Sequence, residues 1–381
     1  MVYVVLPQAD RHRKMTFHDL LFSNDSNFVV LNLTDNTITY EFDDDYVSEN
    51  IAKKMNIKIG TVIQDLEAFI QKYKELYDAD RTSLYHTFHI PKKSGGLRRI
   101  DAPQPALMNA LRDLKRIFDS CGSLHHTTAF AYVSGRSTID AVKRHQRNES
   151  NWFAKLDLHN FFGSTTEQFV LKMFSMIYPF SEIMKNPIGR EVLPKALSLA
   201  FLNGGLPQGT PVSPLVTNIM MIPFDFNFNK WCRQNHMIYT RYADDFIVSS
   251  RCHFRVAEVE SAIRLFLHRY EAPFELNESK TRYGSRAGSN WNLGVMLNKD
   301  NNITIGNRNK RRFQAMLHSY VLDRRNGNPW SLNDVQVLEG LRSYYLMVER
   351  EPIKRIVDHM SRKLDADIVS MIKEDLRNAT E

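Results

Sequence analysis

The decapeptide RYADDFIVSS, Arg241 to Ser250, constrains this chain more than any other stretch. Two adjacent acids, Asp244 and Asp245, lie between the apolar, β-prone runs His236 to Ala243 and Phe246 to Ser250. Such runs on either side of a two-residue break specify a hairpin with the acids at its tip. Neighbouring carboxylates repel, so a fold keeps them either as a solvated turn or beside a compensating cation. A second segment, FAKLDLHNFFGS, puts Asp157 at the end of another predicted strand, Trp152 to Asp157, and follows it with Phe161 and Phe162. Three carboxylates on neighbouring strand ends can hold two Mg²⁺ ions ~3.5 to 4 Å apart, one activating a hydroxyl nucleophile and one neutralising leaving phosphates.

The segment GGLPQGTPVSPLVTN, Gly204 to Asn218, reads as a tight loop opening into a helix from about Leu215. By itself it is a Gly-Pro turn. Beside the acids, its glycines would allow close backbone approach to a nucleotide, and Gln208 would donate to sugar or phosphate oxygens without adding charge. Upstream, YHTFHIPKKSGGLRR alternates apolar and polar residues and turns at Ser94 to Gly96, a β-hairpin with a cationic tip. Helical spacing runs through Pro105 to Phe118, Thr138 to His145, Glu167 to Tyr178 and Val192 to Phe201. A further hairpin joins Asn292 to Met296 with Ile303 to Ile305, before a helical, basic C-terminal third. Near the N-terminus an acidic run (Glu41, Asp43, Asp44, Asp45) precedes an amphipathic segment from Ser48 to Tyr77, broken at Asn56 to Gly60. That is a helix-turn-helix pattern: it suits DNA reading through Thr61 and Gln64, and equally a plain pair of packed helices.

The 381 residues are 43% hydrophobic and 24% charged, which excludes wholesale disorder, collagen-like repeats and a coiled-coil rod. Lys and Arg number 50 against 43 Asp and Glu, and the resulting +7 is weak support for a polyanionic partner. Cys121, Cys232 and Cys252 are odd in number and lack CxxC spacing, so neither a disulfide framework nor a zinc site is indicated. A reducing, cytoplasmic location is expected. The N-terminal apolar run is too short for a signal peptide, and no stretch approaches ~18 uninterrupted apolar residues, so no membrane partner is expected.

Four ordered motifs, IPKKSGGLRRIDAP (Ile90 to Pro103), KLDLHNFF (Lys155 to Phe162), LPQGTPVSP (Leu206 to Pro214) and YADDF (Tyr242 to Phe246), resemble the reverse transcriptases. The likeness is greatest to prokaryotic enzymes related to group II intron proteins and retrons. LNESKT (Leu276 to Thr281) and NLGVML (Asn292 to Leu297) follow in order, so the resemblance spans roughly residues 81 to 350. It implies an α+β right-hand polymerase with fingers, an antiparallel-sheet palm and a helical thumb. Residues 1–80 would be an N-terminal helical extension, 81–150 fingers, 151–285 palm with interleaved fingers helices, and 286–381 primer-grip hairpin and thumb.

Carried over residue by residue, the resemblance makes Asp157, Asp244 and Asp245 the catalytic acids, with the Leu158 carbonyl as a backbone ligand to two Mg²⁺ ions, for which Mn²⁺ could substitute. Lys92 and Arg98 would clamp the incoming triphosphate, with Lys93 and Arg99 as bystanders. Phe162 would be the aromatic gate against a ribose 2′-OH, while Phe161, facing the other way on an extended strand, would be core. Gln208 would contact the nucleotide. Lys280 is either a palm lysine near the triphosphate or a surface lysine. Tyr242, Leu293 and Gly294 would support the primer or template. Arg308, Lys310, Arg311 and Arg312 would track phosphates, or simply form a solvated helical face. Tyr320, Tyr344 and Tyr345 fit a core better than base stacking.

The implied activity is RNA-directed DNA synthesis from dNTPs on an RNA template, extending a DNA or RNA primer, in a retroelement or antiviral defence setting. Two departures set the chain apart from standard retron enzymes: DAVKRH (Asp140 to His145) and NLGV (Asn292 to Val295). The chain to Glu381 leaves no room for maturase, endonuclease or ribonuclease H regions, which points to stand-alone unclassified or antiphage-defence enzymes. Two alternatives stay open. One is template-independent or repeat-making DNA synthesis with an associated non-coding RNA. The other is a non-catalytic nucleic-acid-binding regulator that uses the N-terminal helix pair.

Overall fold

The computed structural model describes residues 58–91, 95–122, 124–286 and 294–378, together with the backbone of three short strands nearer the N-terminus. These are β1 (Val4–Val5), β2 (Phe28–Val30) and β3 (Tyr40–Phe42), in a sheet ordered β1-β3-β2 with β1 parallel and β2 antiparallel to β3. The first member of the expected helix pair lies outside the described residues, as do Lys92, Lys93 and Leu293. The second member is the helix Ile59–Lys72. It buries Val62, Ile63, Leu66, Phe69 and Ile70, a single stripe at helical spacing, against the helices Pro105–Ser120 and Pro187–Ser198. Thr61 and Gln64 remain exposed on its opposite face.

The chain divides into two compact units. The first comprises residues 1–137, 154–249 and 254–282. Its β4 (Tyr85–Pro91) and β5 (Leu97–Pro103) form the expected hairpin, in register from Tyr85 opposite Pro103 to Pro91 opposite Leu97. The strands β6 (Trp152–Asp157), β7 (Met237–Tyr242), β8 (Asp245–Ser250) and β9 (Arg282–Ser285) form a four-stranded sheet ordered β7-β8-β6-β9. Only two residues, Ala243 and Asp244, separate β7 from β8, so that pair is an antiparallel hairpin. Insertion of β6 beside β8 is what joins two acid-bearing segments far apart in sequence.

Beneath the sheet lies an aromatic core of Phe224, Phe228, Tyr239, Phe246 and Phe266, with ring centroids from 4.7 to 6.5 Å apart. Two of these rings, Phe224 and Phe228, lie on the helix Ile222–Gln234, whose text IPFDFNFN alternates apolar and polar residues as a strand would. Proline in its first turn favours helix, and every residue from Ile222 to Phe228 is buried. The inward polar residues are satisfied. Asp225 accepts from Tyr239 and Arg241, and the Asn227 amide bonds the Pro223 carbonyl and the Tyr270 hydroxyl.

The second unit comprises residues 138–153, 250–253 and 283–381. The helix Thr138–Arg147 packs Ile139, Ala141, Val142 and His145 inward. Its Gln146 exchanges two amide hydrogen bonds with Asn301, at 2.8 and 2.9 Å, in the turn between β10 (Met296–Leu297) and β11 (Ile303–Thr304). Four helices follow, Asn307–Arg325, Leu332–Val348, Arg350–Lys363 and Ile368–Asn378. They close over a core of Leu317, Tyr320, Leu338, Ile353, Ile368 and Ile372, none of which is exposed to solvent. Cys121, Cys232 and Cys252 are free thiols. Among the described residues no helix is long and apolar enough to cross a membrane.

Candidate active site

Asp157 is the last residue of β6, and backbone hydrogen bonds hold the chain beyond it on both sides. The Leu158 N–H donates to the Asp244 carbonyl at 3.2 Å, the His159 N–H to the Glu275 carbonyl at 2.8 Å, and the Asn277 N–H to the Asp157 carbonyl at 2.7 Å. The end of β6 is thereby tied to the β7–β8 turn and to the LNESKT segment. Ala243, in that turn, has φ +57°, an uncommon conformation for a residue with a side chain. It is held there by Arg241, which is wholly buried and donates from Nη1 to the Ala243 carbonyl at 3.1 Å. The other side of the guanidinium grips Asp225 in a fork, Nε to Oδ1 at 2.8 Å and Nη2 to Oδ2 at 2.7 Å. A buried ion pair on the preceding element therefore sets the shape of the acid-bearing turn.

Each of two lysines holds one carboxylate. The Lys280 ammonium sits 3.1 and 3.0 Å from the two oxygens of the buried Asp157, while its own side chain stays 56% exposed. The Lys155 ammonium lies 2.8 Å from Asp245. Asp244 is paired with neither lysine. Burial, and after it the charges of Asp245 and Asp157, push its carboxyl up to about 6. Burial raises the Asp245 carboxyl too, against the opposing pull of Lys155. Among the described residues no three acids, imidazoles or thiols already converge on one point. The oxygen donors fit a hard divalent cation, since three carboxylates stand here against two paired ammonium groups, Lys155 and Lys280.

A cavity of about 1060 Å³ opens beside these acids. Its walls include Arg98 and Arg99 on β5, the Leu158 to Gly163 segment, Pro207 and Gln208, Asp244 and Lys280. Of the two arginines, Arg99 is engaged at 2.8 Å by Asp101. The structure thus brings together Asp157, Leu158, Asp244, Asp245, Arg98, Phe162, Gln208 and Lys280 within the first unit. Tyr242 closes β7 beside them.

Phe161 and Phe162 belong to a short helical turn, Phe161–Ser164, launched by Asn160 in the left-handed region, and not to an extended strand. Both residues border the cavity, and they differ in burial, Phe161 being buried and Phe162 half-buried. Phe161 is buried against Phe274 at 5.0 Å, and Phe162 lines the cavity. The glycines of the 204–209 loop also act differently from expectation. A Cβ on Gly205 would lie 2.2 Å from the Gly163 carbonyl, and one on Gly209 would lie 3.1 Å from the Asp101 carbonyl. These close approaches are to the protein's own backbone: they let the loop lie against the Phe162 turn, where the Leu206 N–H donates to the Phe162 carbonyl at 2.9 Å.

Gly294 and the basic helix belong to the second unit. Arg308, Arg311 and Arg312 are exposed there, whereas Lys310 is bound at 2.7 Å to Glu349, itself an acceptor for Thr304 and the Ile305 N–H. Tyr320 and Tyr345 are buried, as expected of core, and Tyr344 is half-buried. The residues missed from sequence are Lys155, Asp225 and Arg241. Lys155 had a signal, since it lies two positions before Asp157 on one strand and so on the same face.

The family profile described as "Reverse transcriptase (RNA-dependent DNA polymerase)" matches residues 90–305. The match spans the acid-bearing strand ends and the basic hairpin that share the cavity, and it defines a nucleotide-polymerising enzyme of the divalent-metal-dependent kind. The chain belongs to the reverse transcriptase family and is an RNA-directed DNA polymerase with the right-hand α+β fold.

Among curated proteins it is similar to the retron Ec83 reverse transcriptase of Escherichia coli, 28% identical over 300 residues, covering 77% of this chain and 93% of the relative. It is also similar to the retron Mx65 reverse transcriptase of Myxococcus xanthus, 26% identical over 81% of this chain and 70% of that one. Among solved structures, telomerase from Candida albicans with a telomeric RNA fragment aligns at a TM-score of 0.43 and 12% identity, over 81% of this chain and 62% of that one. Apo telomerase from Candida tropicalis, truncated from its C-terminal domain, aligns at 0.38 and 15%, over 61% and 57%. The chain therefore spans about three fifths of those telomerase chains.

The curated relatives are retron reverse transcriptases, in keeping with the resemblance read from the motifs. In DAVKRH the helix keeps a buried face of Ala141, Val142 and His145, the last packing edge-on against Phe153 at 5.8 Å.

Proposed function

We propose that the chain makes cDNA from dNTPs with two Mg²⁺ ions held by Asp157, Asp244, Asp245 and the Leu158 carbonyl. When bound, the ions lower the pKa of the attacking hydroxyl and neutralise charge on the departing pyrophosphate. The protein's own groups position the reactants. Arg98 on β5, together with Lys92, clamps the triphosphate, and Lys280 bridges Asp157 and the phosphate oxygens. Gln208 orients the nucleotide from the loop that lies on the Phe162 turn, and the Phe162 ring lies under the sugar and excludes a 2′-OH. Tyr242, Leu293 and Gly294 support the primer end, and Arg308, Arg311 and Arg312 track template and primer phosphates.

In this reading the hairpin and its helices are fingers, the β6 to β9 sheet is palm, and residues 286–381 carry primer-grip hairpin and thumb. The retron-like standing of the chain supports a dedicated non-coding RNA as template, in a retroelement or defence setting.

The observation that carries the proposal is the Lys280 ammonium on Asp157, at the lip of a cavity shared by Arg98, Phe162, Gln208 and Asp244. The test is extension of a DNA primer on an RNA template by the purified chain in Mg²⁺, with dNTPs or NTPs and with Asp244→Ala alongside. Templated cDNA that disappears in the variant is the expected result. Incorporation of NTPs at comparable rates would overturn the role given to Phe162, and product that persists in Asp244→Ala would overturn the metal site.

A further inference from the structure

Tyr132 stands out among the residues around the site because its backbone and its ring are both unusual. It has φ +60°, and 58% of it is exposed despite an aromatic side chain. A non-glycine residue keeps that conformation only where its surroundings hold it. Here they do. Residues 128–130 run alongside β7, with the Arg241 N–H donating to the Thr128 carbonyl at 2.7 Å and the Phe130 N–H to the Arg241 carbonyl at 2.9 Å. Asn218 Nδ2 donates to the Ala131 carbonyl at 2.8 Å, and Arg136 Nη1 gathers the Thr127 and Ala129 carbonyls at 3.0 and 2.8 Å. The same buried Arg241 that shapes the Ala243 turn thus anchors the segment that presents Tyr132.

What the segment presents is a ring set edge-to-face on Phe162, centroids 6.4 Å apart and planes at 76°. Phe162 also meets Phe161, at 5.6 Å and 73°, and Phe161 is itself packed against Phe274. Phe162 is therefore in contact with one buried and one exposed ring. Tyr132 thus touches the cavity through Phe162, a lining residue, and lies within electrostatic reach of Asp244 and Arg98.

We propose that Tyr132 is a positioning residue that sets how strictly the enzyme rejects ribonucleotides. The inference rests on the gate role given above to Phe162. A ring excludes a 2′-OH only if it cannot yield when pushed. Hydrogen bonds fix the backbone of the single helical turn Phe161–Ser164, with the Leu206 and Thr165 N–H groups on the Phe162 carbonyl, so what remains to be held is the Phe162 ring. The buried Phe161 and the exposed Tyr132 are the rings that brace it.

The experiment measures the ratio of kcat/KM for a dNTP to that for the matching NTP, on a defined RNA template and DNA primer, in wild type, Tyr132→Ala, Tyr132→Phe, Phe162→Val and the Tyr132→Ala/Phe162→Val double variant. Phe162→Val is expected to lower the ratio, Tyr132→Ala to lower it by about 3- to 10-fold, the scale of a single edge-to-face ring pair, and Tyr132→Phe to leave it near wild type. In the double variant the Tyr132 effect should vanish, because there is no longer a ring to support.

If Phe162→Val lowers the ratio and Tyr132→Ala does not, the support role is overturned and the gate stands. If Phe162→Val leaves the ratio unchanged, the gate itself fails, and the inference with it. Should Tyr132→Ala melt early, Tyr132→Leu carries the comparison. An equal drop with dNTP and NTP in that folded variant would overturn the inference by showing a side chain that does not discriminate.

Discussion

Lys280 shows how much the surroundings of one side chain decide. In sequence it is a palm lysine or a surface lysine; in the fold its ammonium lies on both oxygens of Asp157, 123 positions away. A charge-assisted hydrogen bond of this kind is worth roughly 1.5 to 3 kcal/mol where it is made. Lys280→Met is therefore expected to lower kcat/KM for dNTPs by about 10- to 100-fold without abolishing primer–template binding, read from single-nucleotide incorporation beside a binding titration.

Asp244 gives a pH prediction. Its carboxyl is raised from the ordinary 3.8 to about 6, so between those values the folded chain holds a proton that the unfolded chain has released. The sign follows: Asp244 makes the fold less stable as pH rises through that window, and a divalent cation, which binds the ionised form, reverses the loss. The melting-temperature gain from added Mg²⁺ should accordingly be small at pH 5, grow through pH 6 and level off above pH 7. In Asp244→Asn that pH dependence should flatten.

At the scale of elements, the β7–β8 turn owes its shape to a helix that precedes it. Asp225 and Arg241 are both without solvent exposure, and their fork holds the Ala243 carbonyl in place. Removing one partner from a buried pair leaves a lone charge inside the protein and costs about 3 to 5 kcal/mol. Asp225→Ala should lower unfolding stability by that amount in urea titration, and the surviving folded fraction should polymerise poorly because the turn carrying Asp244 loses its prop. None of this was legible in FDFNFN, whose alternation imitates a strand. A helix buried all round, with polar residues that find partners inside, carries no amphipathic stripe to read. The β4–β5 hairpin and β6 to β8 were legible because each pairs with near neighbours or ends at a sharp break. The Phe161–Ser164 turn was not, since four residues are too few to show a period.

For the whole molecule, net charge says less than its distribution. The helix Asn307–Arg325 carries six cations in sequence, and three of them are taken up by partners further along the chain. Lys310 pairs with Glu349, Arg324 with Glu374 and Asp375, and Arg325 with the Leu364 and Asp365 carbonyls. Arg308, Arg311 and Arg312 stay exposed. If these three meet phosphates, changing all of them to Ser should reduce the slope of log Kd against log salt by about 3, about one for each phosphate no longer neutralised, with little dependence on sequence. An unchanged slope would assign them to solvent.

Sequence alone determined the chemistry this protein is built for: acids at strand ends, a cationic hairpin, an aromatic pair and a Gly-Gln loop in one order, together with the family they resemble. These are local texts, and backbone periodicity and turn chemistry act over a few residues. Only the tertiary structure decided which charges are spent on structure and which face a ligand, because ion pairs such as Lys280 with Asp157 and Lys310 with Glu349 join residues that no local pattern relates. Burial, which turns Asp244 into a weakened acid and Arg241 into a hidden prop, likewise exists only once the sheet and its helices have closed.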